Sequence, residues 1–211
     1  MSGVAGTLPA VTRPLWTKLI FAIDGCVQWQ RGVFEFSAAS DCIFRVQLSR
    51  LTENIVLSDG TFGRPGDRII DLHFWNEQLP LKGEGGNSLA WGCRFNRRFA
   101  KSLLMLAEFL NSNAEFTDIN IIRAEINLEM LDRIAERYGF EAVRGCGVIS
   151  VWKRAHEFGE NILFWMLALA CGSNGMRPKY FWRVRKLHCL SRRTLNDEFA
   201  KLGPVRAVGL G

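Results

Sequence analysis

A chain of 211 residues with 48% hydrophobic and 23% charged side chains can bury a sizeable core without disulfides or metal. With no Pro/Ser-rich linker to divide it, it reads as one domain with appendages. Its net charge is +6, yet residues 1–149 carry 16 basic and 17 acidic side chains while residues 150–211 carry 11 and 4, so the positive excess lies in the last third.

Residues 1–13 hold no basic segment followed by an apolar stretch and a cleavage site, so export by the usual signal is not expected and this stretch reads as flexible. From Pro14 to Gln30 the apolar spacing predicts an amphipathic helix with proline in its first turn and Gly25 weakening its middle. Cys42 to Arg50 alternates as a strand, with Phe44, Val46 and Leu48 on one face. A short apolar strand then leads to turns at Asp59-Gly60 and Pro65-Gly66, before a strand from Arg68 to Trp75. In that strand Ile70, Leu72 and Phe74 share the face expected to be core, and Ile69, Asp71, His73 and Trp75 share the other.

LKGEGGNS reads as a loop ending in Ser88, an N-cap for a helix from about Leu89 to Asn111. Arg94, Arg97, Arg98 and Lys101 concentrate positive charge in its first half. Ile119 to Ile126 is a predicted strand, a helix from about Leu128 is ended by Gly139, and FEAVRGCGVISVW is a strand pair hinged at Gly145 to Gly147. This alternation predicts an α+β domain with helices packed on a sheet. An apolar helix follows around 162–170. At ten residues the apolar run Ile162 to Cys171 is about half of what a bilayer-spanning helix requires. Six cysteines stand singly with no CxxC pair, which argues for free thiols in a reducing compartment and against a zinc or disulfide framework; no metal is expected.

The run from Arg97 to Val143, a basic helix followed by a strand, Asn127 and ERYGFEAV, resembles the second half of the GNAT acyltransferase fold. There a phosphate-gripping helix start leads to a strand, a helix and a Gly-Phe-led strand. The resemblance implies a GNAT-like mixed sheet flanked by helices and acyl-CoA, or another acyl thioester, as cofactor. It also implies Arg94, Arg97, Arg98, Phe99, Ala100, Lys101 and Asn127 as cofactor-binding residues. The family's phosphate loop, resembling R-x-x-G-x-G/A, falls on Arg97 to Ser102, where its glycines are missing. The tyrosine of its LYERxGF pattern falls on Ala135, so the usual general acid is absent. An acyltransferase and a noncatalytic relative both stand at this point.

A second pattern comprises Asp59, Gly60, Thr61, Gly66, Asp67, Leu72, His73 and Asn76. It resembles the YkoP-like domain found beside polysaccharide deacetylases in some bacterial chains, with the approximate pattern D-G-T, G-D and L-H-x-x-N. It implies envelope metabolism without naming a reaction.

Asp71, His73, Asn76 and Glu77 cluster at a strand end beside a Gly-rich loop, where ligands commonly bind in α/β sheets. Asp71 and His73 share a face, and an imidazole poised by a carboxylate serves as a general base toward an amine or hydroxyl; Asp71, His73 and Glu77 are the catalytic candidates. A histidine held only as a structural hydrogen-bonding residue is the alternative.

Between Arg177 and Arg193 lie seven bases and no acid, interleaved with aromatics. Trp165, Arg177, Lys179, Tyr180, Phe181, Trp182, Arg183, Arg185, Lys186, Arg192 and Arg193 are the expected membrane- or anion-binding set. The 162–170 helix offers an apolar face to the bilayer, the core or an oligomer contact. Nucleic acid is the rival partner, without a zinc finger, RNP motif or helix-turn-helix signal to support it. The expected organisation is a flexible 1–13, a GNAT-like α+β domain over 14–153, a basic helical membrane-surface extension over 154–200 and a tail over 201–211. The expected role is a cytoplasmic, acyltransferase-like protein peripheral to the bacterial inner membrane, acting on an envelope lipid or glycan precursor. A noncatalytic YkoP-like partner module of a polysaccharide- or lipid-processing system is the alternative.

Overall fold

Residues 15–79, 88–126, 129–143 and 186–200 are described in the computed structural model of the chain. Helix α1 (Leu15–Gln30) leads into a short edge strand, β1 (Val33–Phe34). A longer antiparallel pair follows, β2 (Phe44–Arg50) with β5 (Arg68–Phe74), and between them in sequence lies a two-stranded hairpin of β3 (Ile55–Val56) and β4 (Phe62–Gly63). Helix α2 (Ser88–Ser112) then crosses to β6 (Ile121–Ile126), which pairs parallel with β5. A parallel neighbour needs a crossover of this kind, because a tight turn can join only antiparallel strands. Helix α3 (Glu129–Arg137) leads to β7 (Glu141–Val143), and β8 (Lys186–Ser191) runs directly into α4 (Arg192–Ala200).

The six-stranded sheet has the order β1-β2-β5-β6-β8-β7, and among the described strands β5 and β6 form its parallel join. This is the mixed sheet with helices that the alternation of the sequence implies. Strand register sets the two faces. Phe44, Val46, Ile70, Ile122, Ile126 and Leu190 fall on the face that packs against Phe95, Phe99, Leu103 and Leu106 of α2, with Leu131 and Ala135 of α3 and Leu195 and Phe199 of α4 in the same core. Each large apolar side chain so buried contributes roughly 1.5–3 kcal/mol relative to exposure. The aromatic part of this core is a connected array. Phe99 meets Phe44 edge-on at 5.0 Å and stacks on Tyr138 at 5.4 Å, and Tyr138 stacks on Phe199 at 6.2 Å.

The expected helical extension over 154–200 gives way at its far end. Residues 186–191 form β8, a strand lying between β6 and β7, and α4 buries Leu195 and Phe199 in the main core. Leu187, Cys189 and Ser191 share one face of β8 while His188 and Leu190 share the other, so the apolar and basic residues that look like a surface stripe are a strand's two sides. The apolar 162–170 segment lies outside the described residues.

On the opposite face, hairpin β3–β4 seals a smaller core of Leu51, Ile55, Leu57, Ile69, Ile121 and Cys189. Gly63 is buried there, and a Cβ on it would stand 2.6 Å from Ile121 Cδ1 and closer still to Leu51 Cδ1. Gly63→Ala is therefore expected to overpack this core and lower stability by about 1–3 kcal/mol. A urea titration followed by circular dichroism checks this through a lower midpoint at unchanged slope.

Candidate functional site

Because β5 and β6 run parallel, their carboxyl ends at Phe74 and Ile126 open toward one edge of the sheet. Helix α2 must run back from that edge to reach the start of β6, so its N-terminus returns to the same place. Contacts fix it there: Phe95 of α2 lies 6.0 Å from Phe74, Trp91 stacks on Phe95 at 5.3 Å, and the Arg98 guanidinium donates to the Gln78 carbonyl. In open sheets this edge, beyond the carboxyl ends of parallel strands, is where ligands are held.

The face opposite the helices is polar near this edge. Arg45 stands across from His73, Gln47 across from Asp71, and Asp71 across from Arg123. Arg45 is the hub of the outer group. Its guanidinium is 3.1 Å from Glu35 Oε1 and 3.5 Å from Glu77 Oε2, and it lies 4.6 Å from the centre of the half-buried Trp75 ring. His73 Nε2 is 3.0 Å from Gln47 Oε1. An amide oxygen can only accept, so this contact is a hydrogen bond in the tautomer that carries Nε2–H.

Deeper in, Arg123 grips Asp71 with two parallel bonds, Nε to Oδ1 at 2.6 Å and Nη2 to Oδ2 at 2.7 Å, and Nη2 also donates to Ser49 Oγ at 3.3 Å. The Asp71 carboxylate is thus turned toward Arg123. The expected Asp71–His73 pair shares a face but not a hydrogen bond: Gln47, not Asp71, orients His73. Nearby, burial pushes the Cys189 thiol up to about 12 against the pull of Arg123, which makes it a packing residue and not a nucleophile.

The expected cofactor residues fall differently from their reading as a helix start. Helix α2 begins at Ser88, so Arg97 to Lys101 sit turns inside it, where backbone N–H groups are already bonded within the helix. Phe99 is core, Ala100 packs against it, and Lys101 pairs with Asp41. Arg97 is exposed and Arg94 is half-buried. Asn127 lies outside the described residues, as do Trp165, Arg177, Lys179, Tyr180, Phe181, Trp182, Arg183 and Arg185. Of the remaining anion-binding candidates, Arg193 is exposed and Lys186 pairs with Asp132 at 2.7 Å. The Arg192 guanidinium is consumed internally, donating to the carbonyls of Leu110 and Phe116 at 2.6 Å each. It satisfies carbonyls at the C-terminal end of α2.

Sequence reading missed Arg45, Gln47, Trp75 as a ring partner, and Arg123. A signal existed for Arg123, a lone base inside an apolar strand, but its partner depends on the parallel register, which no local pattern encodes.

Comparison with known proteins bears on these residues together. A statistical description of the YkoP domain matches residues 13–195. The chain is also 29% identical over 103 residues to the uncharacterised protein YkoP of Bacillus subtilis strain 168, a match covering 48% of this chain and 55% of that protein. The match thus spans about half the length of the curated relative. No solved structure matches the chain at a significant level.

Within the matched region the Asp-Gly-Thr turn proves to be a fastening. Gly60 takes φ of +84°, a conformation that suits glycine, and this lets the Asp59 carboxylate accept from the Thr61 N–H at 2.9 Å and from the hydroxyls of Ser191 and Thr194. Ser191 Oγ in turn accepts from the Thr194 N–H at 2.8 Å, capping α4, while the Ser58 N–H and hydroxyl donate to Glu141. Burial alone would push the Asp59 carboxyl up, but the bonds from Ser191, Thr61 and Thr194 outweigh it and hold it below its ordinary value. A depressed folded value contributes stability above the unfolded value, about pH 4, that is lost as the pH falls through the folded one. Asp59→Asn should therefore lower Tm at neutral pH and flatten the fall in Tm between about pH 4 and pH 2, which thermal melts across that range measure.

Proposed function

The chain belongs to the YkoP domain family, and from that premise we propose that it is an acyltransferase-like protein on a GNAT-like scaffold, handling a thioester-linked acyl group destined for an envelope lipid or glycan precursor. One observation carries the reading. The parallel pair β5–β6, crossed by α2 and continued through α3 and the Gly139-Phe140 lead into β7, follows the helix, strand, helix, Gly-Phe strand order of the resemblance noted in the sequence. That arrangement directs the N-terminus of α2, after a segment rich in glycine at 83, 85 and 86, toward the edge that holds His73, Trp75 and Glu77. Backbone N–H groups at a helix start suit a diphosphate such as that of acyl-CoA, and Arg94 and Arg97 add positive charge along the same helix. In this reading His73 takes the proton of an attacking amine.

The noncatalytic alternative, a binding module of a polysaccharide- or lipid-processing system, draws support from a different observation. Both candidate carboxylates are engaged by guanidinium groups, Asp71 by Arg123 and Glu77 by Arg45. Carboxylate oxygens occupied in this way hold the guanidinium groups in place and are not turned toward a substrate.

No described helix is long and apolar enough to cross a membrane. The proposed place is the cytoplasmic surface of the inner membrane, with Arg177, Lys179, Arg183 and Arg185 meeting anionic headgroups, so full-length protein should float with vesicles containing phosphatidylglycerol and stay behind with phosphatidylcholine alone.

Calorimetric titration with CoA tests the donor site. Saturable binding that weakens severalfold in Arg97→Glu is expected, since charge reversal along α2 lowers the positive potential at the helix start where the diphosphate would sit. Arg98 is unsuitable for this test because it ties α2 to Gln78. An acetyl-CoA assay against amine acceptors separates the readings: thiol release that falls at least 100-fold in His73→Gln supports the enzyme, and CoA binding without turnover supports the module.

A further inference from the structure

The group around Arg45 carries a specific unmet demand. Among the described residues Arg45 Nε is buried without a hydrogen-bond partner, and so is Glu77 Oε2, whose 3.5 Å approach to Arg45 Nη2 is an ion pair and not a hydrogen bond. Buried polar atoms are rarely left so, and an adjacent orphan pair calls for a partner. One of the two is a donor and the other an acceptor. A carboxylate or phosphate would satisfy Arg45 and repel Glu77, an ammonium would do the reverse, and an apolar group would leave both unmet. A hydroxyl, which accepts and donates through one oxygen, fits both.

The surroundings narrow the class of molecule. Trp75, half-buried beside Arg45, offers an indole as a flat apolar surface. Glu35 supplies a second carboxylate, 48% exposed, to accept from a further hydroxyl, and His73 stands directly across the strand pair. An indole flanked by acceptors and a guanidinium is the complement of a pyranose, which shows an apolar C–H face and a rim of hydroxyls.

We propose that Arg45, Glu77 and Trp75 form a sugar-binding subsite in which the orphan donor and acceptor read one hydroxyl of the acceptor. This deepens the functional reading above and rests on its placing the acceptor at this edge. A water molecule held between Arg45 Nε and Glu77 Oε2 in the unliganded protein would mark the position that the sugar hydroxyl takes over. A site built to bond a hydroxyl discriminates strongly against an analogue without it, because both polar groups then stay buried and unpaired.

Titration of the full chain with cellotetraose and with the glucosamine tetrasaccharide, followed by NMR and calorimetry, tests the subsite. Tetraethylene glycol dimethyl ether, which accepts hydrogen bonds but cannot donate them, serves as the control. At least one saccharide should bind saturably with Kd in the millimolar range or tighter, and the ether should not. Glu77→Gln, which keeps the shape but puts an amide where the acceptor carboxylate stood, and Arg45→Lys, which keeps the positive charge but removes Nε, should each weaken binding by about tenfold. Trp75→Phe keeps an aromatic surface and provides a milder variant should the others unfold, with a smaller loss expected. Absence of saturation up to about 20 mM, equal binding of the ether, or binding indifferent to all three variants in folded protein would overturn the proposal. Saccharide failure alongside CoA binding sinks the subsite alone. CoA failure alongside saccharide binding sinks the donor reading and leaves the subsite standing.

Discussion

The structure turns on a guanidinium and a carboxylate that face each other across its parallel strand pair. Arg123 and Asp71 are each less than a fifth exposed, and each is the other's counter-charge. A side chain that is half of such a pair cannot be lost alone without leaving a buried, uncompensated charge, which typically costs about 3–5 kcal/mol. The pair also fixes register. A slip of one residue between β5 and β6 would put Asp71 opposite an apolar side chain and send Arg123 into the helix-side core. The order of the whole sheet hangs on this join, since β2 and β1 lie on one side of it and β8 and β7 on the other.

The two faces of the sheet have separate duties. The helix side carries a continuous apolar core from Ile43 to Phe199, with aromatic rings in contact across α2, β2 and α4 and the buried His188 beside Asp132. The other side is divided. Hairpin β3–β4 covers the end near Ile69 and Ile121 and is tied down by Asp59 and Ser58, while the end near His73 and Arg45 keeps polar side chains. The residues of the motif read in the sequence thus split between a fastened turn and the polar group. Asp59, Gly60 and Thr61 lock a turn against α4, whereas His73 lies in the polar group.

Local structure was largely legible from the residues. The strands at 44–50 and 68–74, the turns at Gly60 and Gly66 and helices α1, α2 and α3 follow from period and punctuation, while Leu48 stays exposed on the side read as core and Ile69 is buried under the hairpin. What failed to read was whatever depends on distant pairing. Lys186 to Ser191 looks like part of a basic surface segment because four bases from Arg177 on stand before it in sequence and two follow, yet the sheet places it as a strand between β6 and β7. Asp71 looks like the partner of His73 because they share a face two residues apart, while a guanidinium 52 residues away competes for it and wins by bidentate geometry. Arg192 reads in the sequence as part of a basic stripe, and its guanidinium closes the end of a helix by bonding Leu110, 82 residues earlier in the chain. Charge and periodicity report what a side chain can do, and topology decides which of its possible partners arrives.

The late position of β8 shapes how this protein comes into being. During synthesis every other described strand of the sheet leaves the ribosome before residue 186, and until then β6 and β7 lack the strand that joins them. Such long-range closure is slow relative to local helix formation, and an open apolar edge is a template for association with other chains. A nascent or truncated chain ending before Ser191 would therefore be prone to aggregate, and a chaperone able to shield the flank of β6 would act on it until the last strand slides home.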